Sequence, residues 1–408
     1  MINGKGRYLL SKERVSEWDI LRGIAFLAIV LQHSIGQFAY RKDTSLLDAY
    51  TLAAIYHLIK FGVPAFVFLT GATLLYNYYG KLNYLEFIRK RSLDVLVPYL
   101  VWTPIYYVYI FPQKVINVEW LKEVGKQLLV PTQAYHLWFI ILIFQFYLVF
   151  PFFLKWLTWA NGKNDLYDKK RTLNPVLVFT GLGYIVLMWA SYKYLPYHAS
   201  TYPGIIQFLI SYRNSNFLFY SFYFIFGAVI TFDLERWRKI IRGYSYWNFV
   251  LLVVSYSWVG YELFIGTGYN LPINLNWSTT LKPSMFFLVL SELLALYLIA
   301  MKGTQQKNWM TKVISWFGRY SFGAYLVHAL ILGILISVLD VLQLTHPGMN
   351  RHYVLVTFII FLIVTVISSL TSYILSMIPL GKYLIGSIGA KDKPKNSAHP
   401  AGLSSHKV

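Results

Sequence analysis

Ten long apolar runs constrain this 408-residue chain more than any other feature of its sequence. At ~1.5 Å per residue, a run of about 20 residues crosses a hydrocarbon core ~30 Å thick as a helix. Because 57% of the residues are hydrophobic and only 13% are charged, one soluble core could not bury this much apolar surface. The sequence therefore predicts an all-α, polytopic membrane protein. The predicted spans are 20–40, 52–78, 93–112, 136–158, 174–194, 214–232, 246–266, 281–301, 319–340 and 352–380.

The distribution of Lys and Arg between the predicted loops indicates the orientation of the chain. With the N-terminus inside, the inner segments carry 26 of the 37 basic residues and the outer loops carry nine, while Arg22 and Lys60 lie within spans. Membrane proteins concentrate Lys and Arg in their cytoplasmic loops, so this division predicts two cytoplasmic termini and an even number of spans. The same rule accounts for the net charge of +20, and we expect no nucleic-acid partner.

Three local features refine this topology. The second span contains Gly62 and Pro64, which predict a break or kink in its helix. In the outer loop at 113–135, apolar residues at helical spacing predict an amphipathic helix on the membrane surface. The tail is polar enough to be disordered. The predicted parts are a cytoplasmic N-terminal segment at 1–19, a transmembrane domain at 20–380 and a cytoplasmic tail at 381–408.

The residue types that build metal and cofactor sites are scarce or scattered. The chain has no cysteine, which excludes disulfides and thiolate ligands. None of its nine histidines lies four residues from another, and it contains no glycine-rich phosphate loop. We therefore predict neither a metal site nor a tightly bound cofactor.

Charged residues inside the first span are the strongest candidates for function, because a charge at a helix centre costs about 2.5–3.5 kcal/mol. Arg22 and His33 are eleven residues apart, so a helix brings them to one face, about 16 Å apart along its axis. Asp19 precedes Arg22 by one turn and can pair with it. Structural roles remain open: Arg22 can extend to the inner headgroups, and His33 can hydrogen-bond to a neighbouring helix.

Further titratable residues lie in later spans. His328 falls near the middle of the ninth span, and His136 opens the fourth, two residues before Trp138. His136 is also compatible with a purely interfacial position beside a tryptophan of the aromatic belt. Four other residues inside spans are compatible with buried ion pairs as well as with function: His57, Lys60, Glu262 and Glu292.

Five motifs, in order along the chain, resemble those of the acyltransferase 3 family of integral-membrane O-acyltransferases. Thr70 replaces the usual Ser, and Gln145 stands where many members fused to an extracellular esterase-like domain have Glu. The chain is therefore similar to the short form without that domain. The motifs are Trp18-Asp19-Ile-Leu-Arg22-Gly23 followed by His33, Phe61 to Gly71, Arg89-Lys-Arg91 before Pro98-Tyr99, His136-Leu-Trp138-Phe, and Ser321 to His328.

The resemblance implies transfer of an acyl group, most often acetyl, from cytoplasmic acyl-CoA to a hydroxyl of a cell-envelope glycan or lipid-linked sugar at the plasma membrane. Acyl-CoA is then a co-substrate, and glycan-biosynthesis proteins are possible partners. On this interpretation Arg22, Arg89 and Arg91 bind the CoA phosphates, since guanidinium groups pair well with phosphate oxygens. His33 acts as the general base, because an imidazole with an unperturbed pKa near 6.5 suits proton removal near neutral pH.

The remaining candidates have supporting roles under the same interpretation. His328 serves in a proton relay or orients the thioester, and Asp19 orients Arg22. Thr70, His136 and Trp138 position the acceptor. A covalent acyl-enzyme step also remains open.

Transport is the alternative function class. Ten spans with buried charges also fit a flippase or exporter of a lipid-linked sugar or polysaccharide. The sequence shows no internal repeat of the kind found in many transporters, which disfavours this alternative. Transfer from acyl-CoA by the purified protein would separate the two classes.

Overall fold

The fold is a bundle of long helices in a computed structural model that describes residues 14–80, 82–160, 173–268, 271–306, 308–342 and 352–387. Every regular element in these ranges is helical. The first ten helices are α1 (Ser16–Gly36), α2 (Leu46–Leu58), α3 (Gly62–Tyr78), α4 (Tyr84–Arg91), α5 (Val97–Ile110), α6 (Val118–Leu129), α7 (Trp138–Ala160), α8 (Leu173–Trp189), α9 (Leu195–His198) and α10 (Gly204–Ser211). The others are α11 (Ser221–Ile230), α12 (Leu234–Gly243), α13 (Ser245–Thr267), α14 (Pro283–Gln306), α15 (Trp309–Val341), α16 (Tyr353–Leu375) and α17 (Lys382–Ile385).

The described ranges contain nine helices or helix pairs that are long and apolar enough to cross a membrane, and a sharply bent pair would make ten. This confirms the prediction of an all-α polytopic protein. One span consists of α2 and α3, which are separated at the predicted break beside Gly62. Pro64 lies in the first turn of α3, where its missing N–H leaves no helical hydrogen bond unmade.

The sixth predicted span, 214–232, ends in a sharp bend. Helical structure that starts at Phe217 ends at Ile230, and α12 departs from that axis by 112°. Asp233 caps α12 by accepting a hydrogen bond from the Arg236 backbone N–H at 3.0 Å. The basic residues of α12 are unfavourable in hydrocarbon, whereas its Trp237 is buried against the bundle. The chain therefore turns within two residues of the predicted end of the span.

The predicted amphipathic helix is present as α6. Its first turn is capped by Asn117, which accepts a hydrogen bond from the Trp120 backbone N–H at 2.9 Å. The Tyr99 hydroxyl of α5 donates to the Leu128 carbonyl at 2.9 Å. The bond from Tyr99 holds the C-terminal end of α6 against the first turn of α5.

Helix α1 lies at the centre of the bundle and packs against α3, α14, α15 and α16. We call the end at which α1 begins the arginine end and the opposite end the far end. The crossing of α1 and α15 depends on glycine: a Cβ at Gly318 would stand 2.0 Å from the Asp19 carbonyl oxygen, and one at Gly23 would stand 2.1 Å from the Ile314 carbonyl oxygen. Small residues allow this close backbone approach, as is common between membrane helices.

We expect Gly318→Ala to destabilise the protein by about 1–3 kcal/mol, the usual cost of overpacking, because its methyl would press on the backbone of α1. Thermal unfolding in detergent measures the effect. Gly36→Ala is the matched control, because a Cβ at Gly36 meets no atom within 4 Å. Equal stability of the two variants would contradict this account of the helix crossing.

Parts of the predicted terminal segments lie outside the described residues, namely 1–13 and 388–408. Of the predicted N-terminal segment, Ser16 onward belongs to α1. Of the predicted tail, residues 381–387 are described and pack on the bundle. Here the Trp102 indole N–H donates to the Leu384 carbonyl at 2.8 Å, and Ile385 is buried.

Candidate active site

Three histidines from distant parts of the sequence meet inside the bundle. His33 lies on α1, His328 lies on α15, and His136 lies in the turn that precedes α7. The ring centroids of His33 and His328 are 5.2 Å apart, and those of His328 and His136 are 5.1 Å apart. We call these three residues the histidine cluster.

Ring nitrogens in the histidine cluster lack partners although they are buried. His328 Nδ1 lies 2.5 Å from the Tyr325 carbonyl oxygen. A carbonyl only accepts, so Nδ1 carries the hydrogen and Nε2 is left as an acceptor. That Nε2 and both ring nitrogens of His136 are buried without a hydrogen-bond partner among the described residues. An unpaired buried polar group costs about 1–3 kcal/mol, so the cluster is suited to hold a polar ligand or reacting group.

Two tyrosines hold the backbone around the histidine cluster. The Tyr325 hydroxyl donates to the backbone carbonyl of His136. The Tyr106 hydroxyl donates to the Leu326 carbonyl at 2.7 Å and accepts from the Leu330 N–H at 3.1 Å. These bonds join α5, α15 and the turn before α7. Sequence reasoning missed Tyr106 altogether and quoted Tyr325 only as part of a motif.

A cavity of about 640 Å³ extends from the arginine end towards the histidine cluster, and we call it the arginine cavity. Its far wall includes Phe139 and Tyr325, whose ring centroids are 5.4 Å apart. The Tyr325 ring also contacts His328 at 5.3 Å and His136 at 5.5 Å. The cavity therefore reaches the wall of the cluster. Basic residues line its mouth, and they are Arg14, Arg22, Lys90, Arg91 and Arg319.

The arginines at the mouth are oriented by their neighbours. Arg22 pairs with Asp19 at 3.4 Å, as the sequence predicts, and Arg14 also contacts this carboxylate at 2.7 Å. The Arg91 guanidinium donates to the Tyr78 hydroxyl at 3.1 Å and stacks near the Tyr147 ring, 5.3 Å from its centroid. Arg22 and Arg91 thus both line the mouth of the arginine cavity.

Arg89 is placed differently from the other two predicted phosphate ligands. It is exposed and lines an adjoining surface cavity of about 410 Å³ together with Lys382. The two cavities share Lys90 as a lining residue. Arg89 is therefore peripheral to the arginine cavity, and Lys90 takes the position closer to it.

The three predicted acceptor residues do not share one surface. His136 belongs to the histidine cluster, whereas Thr70 lines the arginine cavity and donates to the Phe66 carbonyl at 2.8 Å. Trp138 packs on Tyr220, with ring centroids 6.2 Å apart. Gln145 on α7 donates a hydrogen bond to the Ser215 carbonyl, in the segment before α11, at 2.8 Å.

Other buried charges lie outside the histidine cluster. Glu262 forms an ion pair with Lys282 at 2.6 Å, as one interpretation of the sequence expects. Lys60 lies at the break between α2 and α3, where its ammonium donates to the Tyr56 hydroxyl at 2.8 Å. Glu292 on α14 is 4% exposed, and neither carboxylate oxygen has a partner in the part of the chain described.

A comparison with protein-family models identifies the family of the chain. The acyltransferase 3 model, described as an acyltransferase domain, matches residues 15–377. The chain belongs to the acyltransferase 3 family. The matched range contains the histidine cluster and the two predicted phosphate ligands that line the arginine cavity, Arg22 and Arg91. Family membership and the apolar helices together make the chain a multi-pass membrane protein.

Two similar proteins agree with this assignment. The chain is 25% identical over 385 residues to "Putative membrane-bound acyltransferase YfiQ" of Bacillus subtilis, covering 92% of this chain and 95% of that protein. It is 23% identical over 327 residues to "Probable poly-beta-1,6-N-acetyl-D-glucosamine export protein" of Staphylococcus aureus strain N315, covering 79% of this chain and 84% of that protein. No solved structure matches the chain.

Proposed function

We propose that this member of the family is an O-acyltransferase of the plasma membrane that transfers an acyl group, acetyl in the first instance, from acyl-CoA to a hydroxyl of an envelope polysaccharide. The observation that carries the proposal is the arginine cavity, because it connects a basic mouth with the wall of the histidine cluster. Its volume of about 640 Å³ is within the ~300–1,000 Å³ usual for small-molecule sites.

The donor enters at the arginine end, which the division of basic residues predicts to be cytoplasmic. Arg22, Lys90 and Arg91 supply donors for the CoA phosphates, and charge-assisted bonds from guanidinium to phosphate are among the stronger hydrogen bonds in proteins. The pantetheine arm then occupies the cavity beside Thr70 and Phe139. This places the thioester next to Tyr325, at the wall of the histidine cluster.

The acceptor approaches from the far end. His33 is only partly buried, and its ring contacts that of Tyr135, which is 44% exposed, at a centroid distance of 4.9 Å. His33 takes the proton from the acceptor hydroxyl while the hydroxyl oxygen attacks the thioester carbonyl. The C–S bond then breaks, and the proton passes to the departing CoA thiolate. His328 has an Nε2 that can accept a proton and carries no hydrogen to donate to the thioester oxygen. It therefore suits a proton relay better than the orientation of the thioester.

The test is to give purified protein in nanodiscs radiolabelled acetyl-CoA and a poly-N-acetylglucosamine oligosaccharide. We expect alkali-labile label on the oligosaccharide, since an acetyl ester hydrolyses in alkali. Transport is the competing function, because the Staphylococcus aureus relative is named as an export protein. Movement of the saccharide across a vesicle membrane without esterification would favour export and contradict the proposal.

We expect Arg22→Ala to raise KM for acetyl-CoA about tenfold or more, because a hydrogen bond to a charged group contributes about 1.5–3 kcal/mol. Steady-state kinetics with varied acetyl-CoA measure the change. Asp19 keeps Arg14 as a partner at 2.7 Å, so the substitution does not leave the carboxylate unpaired.

The matched control for Arg22→Ala is Arg89→Ala, which removes the same charge from an exposed position outside the arginine cavity. We expect the control to change KM by about threefold at most, since exposed charge interactions are typically below ~1 kcal/mol. A larger effect from Arg89→Ala than from Arg22→Ala would place the donor in the adjoining cavity instead.

A further inference from the structure

A second cavity lies on the side of the bundle, away from the arginine cavity. It has a volume of about 550 Å³ and is bounded by α13, the start of α14 and the π-helical turn Ala190–Tyr194 that follows α8. Its lining includes the aromatic residues Trp189, Tyr192, Trp258 and Phe287. We call it the lateral cleft.

The lateral cleft opens towards lipid. Two spans flank the cleft, Pro175–Thr201 and Ser245–Thr267. Only 17% of the residues in the apolar stretch of each span are buried, against 56% in α1 and in α14. Helices with so little buried surface face the bilayer. A ligand in this cleft therefore touches hydrocarbon along at least one side, which favours a molecule with a lipid chain over a free polysaccharide.

The floor of the lateral cleft is charged although it lies in an apolar setting. The Lys282 side chain is 2% exposed and its ammonium contacts Glu262 at 2.6 Å. The Ser284 hydroxyl and the Trp258 indole N–H also donate to this carboxylate, at 2.7 Å and 3.0 Å. Buried ion pairs carry a desolvation cost, and polar groups at membrane depth commonly mark a ligand or ion path. These bonds tie α13 to the start of α14 and give the cleft a polar floor beside its aromatic walls.

A further cation stands at the rim of the lateral cleft. Lys193 is exposed, and its ammonium lies 5.3 Å from the centroid of the Tyr192 ring. It can therefore pair with an anionic group such as a phosphate at the membrane surface. The exposed ring of Trp258 is a flat apolar surface with a polar edge, which suits the face of a sugar ring.

The geometry points to the lateral cleft as the binding site for a lipid-linked saccharide, the form in which the acceptor of the proposed acyl transfer reaches the enzyme. The lipid chain lies along the wall of Trp189 and Phe287, the linking phosphate pairs with Lys193, and the sugar covers Trp258 above the ion pair. This inference rests on the proposed function for the role of the ligand, though not for its binding.

The break between α2 and α3 links the histidine cluster with the segment that leads into the lateral cleft. Gln32, next to His33 on α1, donates to the Ile59 carbonyl at this break. The same interior region holds His57, which is hydrogen-bonded to Ser278. A saccharide that extends inward from the floor of the cleft therefore meets the α2–α3 break, with His33 behind it.

The test measures binding of polyprenyl diphosphate N-acetylglucosamine to the full chain in nanodiscs by native mass spectrometry. Trp258→Ala should weaken binding at least tenfold, and Val254→Trp, which fills the cleft, should have a similar effect. Trp247→Ala is the matched control: it removes another exposed tryptophan of α13, one that does not line the cleft, and should leave binding unchanged. Phosphatidylglycerol, an anionic lipid without a sugar, is the control probe.

Equal binding by wild type, Trp258→Ala and Val254→Trp would overturn the inference, and so would equal binding of phosphatidylglycerol and the lipid-linked saccharide. Acetyl transfer to the same saccharide, assayed in parallel, separates this failure from failure of the proposed function. If acetyl transfer occurs and Trp258→Ala changes neither saccharide binding nor KM for the saccharide, the proposed function stands and the cleft site is wrong. If Trp258→Ala weakens saccharide binding but no acetyl transfer occurs, the cleft site stands and the proposed function is wrong.

Discussion

His33→Ala should lower the rate of acetyl transfer by about 10²–10⁴-fold, which is the usual contribution of a general base. The reason is the position of His33: it borders the wall of the arginine cavity through His328 and is accessible beside Tyr135 at the far end. His136 also contacts both Tyr135 and Tyr325, but it is buried, whereas His33 is only partly buried and is the cluster imidazole that an acceptor can reach. Initial rates of label transfer at saturating acetyl-CoA measure the effect.

Two controls make the result for His33 specific. His33→Gln keeps a polar side chain without a titratable ring and should be as impaired as His33→Ala. His198→Ala removes an exposed histidine at the end of α9 and should keep wild-type activity. Unchanged acetyl-CoA binding in His33→Ala would show that the fold and the arginine cavity are intact. Near-normal turnover by either His33 variant would remove the general-base mechanism.

A covalent route gives a different result in the same assay. If the acyl group passed through a histidine nitrogen or a hydroxyl of the protein, labelled acetyl-CoA without acceptor would label the wild-type chain. In direct transfer the protein stays unlabelled until it is mixed with acceptor. Rapid mixing followed by denaturation distinguishes the two.

The long helices were predictable because each is a continuous apolar run, and the break near Gly62 followed from local residue chemistry. The end of the sixth span was predicted to within two residues, but the helix α12 and its angle of 112° were not, because hydropathy does not register the cap at Asp233. The early start of α15 at Trp309 was missed for a related reason. Basic residues in its first turns lower the mean hydropathy, yet they do not prevent a helix from extending past the membrane.

The histidine cluster could be predicted only in part. Helical spacing places Arg22 and His33 on one face of α1, but it does not say which helix faces them. His136 was assigned to the acceptor, because nothing in the sequence brings it to His328. That contact depends on the bond from the Tyr325 hydroxyl to the His136 carbonyl. The glycine-mediated crossing of α1 and α15 brings His33 to His328, and Tyr106 holds α15 against α5. Tyr106 is one of 34 tyrosines, and its own sequence context does not distinguish it.

The second large effect concerns the proton relay. His328→Asn should lower kcat about 100-fold, at the lower end of the range for proton-transfer groups, and leave KM for acetyl-CoA nearly unchanged. In the wild type, Nδ1 donates to the Tyr325 carbonyl and Nε2 is free to accept a proton. An Asn amide can replace the donor, but it supplies no basic nitrogen. The measurement is steady-state kinetics across pH, because loss of the proton-accepting nitrogen next to His33 should change the pH dependence of kcat.

Tyr106→Phe separates this proton-transfer role from a structural one. It removes the hydroxyl that bonds the Leu326 carbonyl at 2.7 Å and the Leu330 N–H at 3.1 Å, on both sides of His328 along α15. We expect lower thermal stability and a modest fall in kcat with an unchanged pH profile. If His328→Asn behaves like Tyr106→Phe, His328 only supports the helix. If the pH profile changes in His328→Asn alone, the proton passes from His33 to His328. The position of His328, between His33 and the cavity wall at Tyr325, is then part of the mechanism.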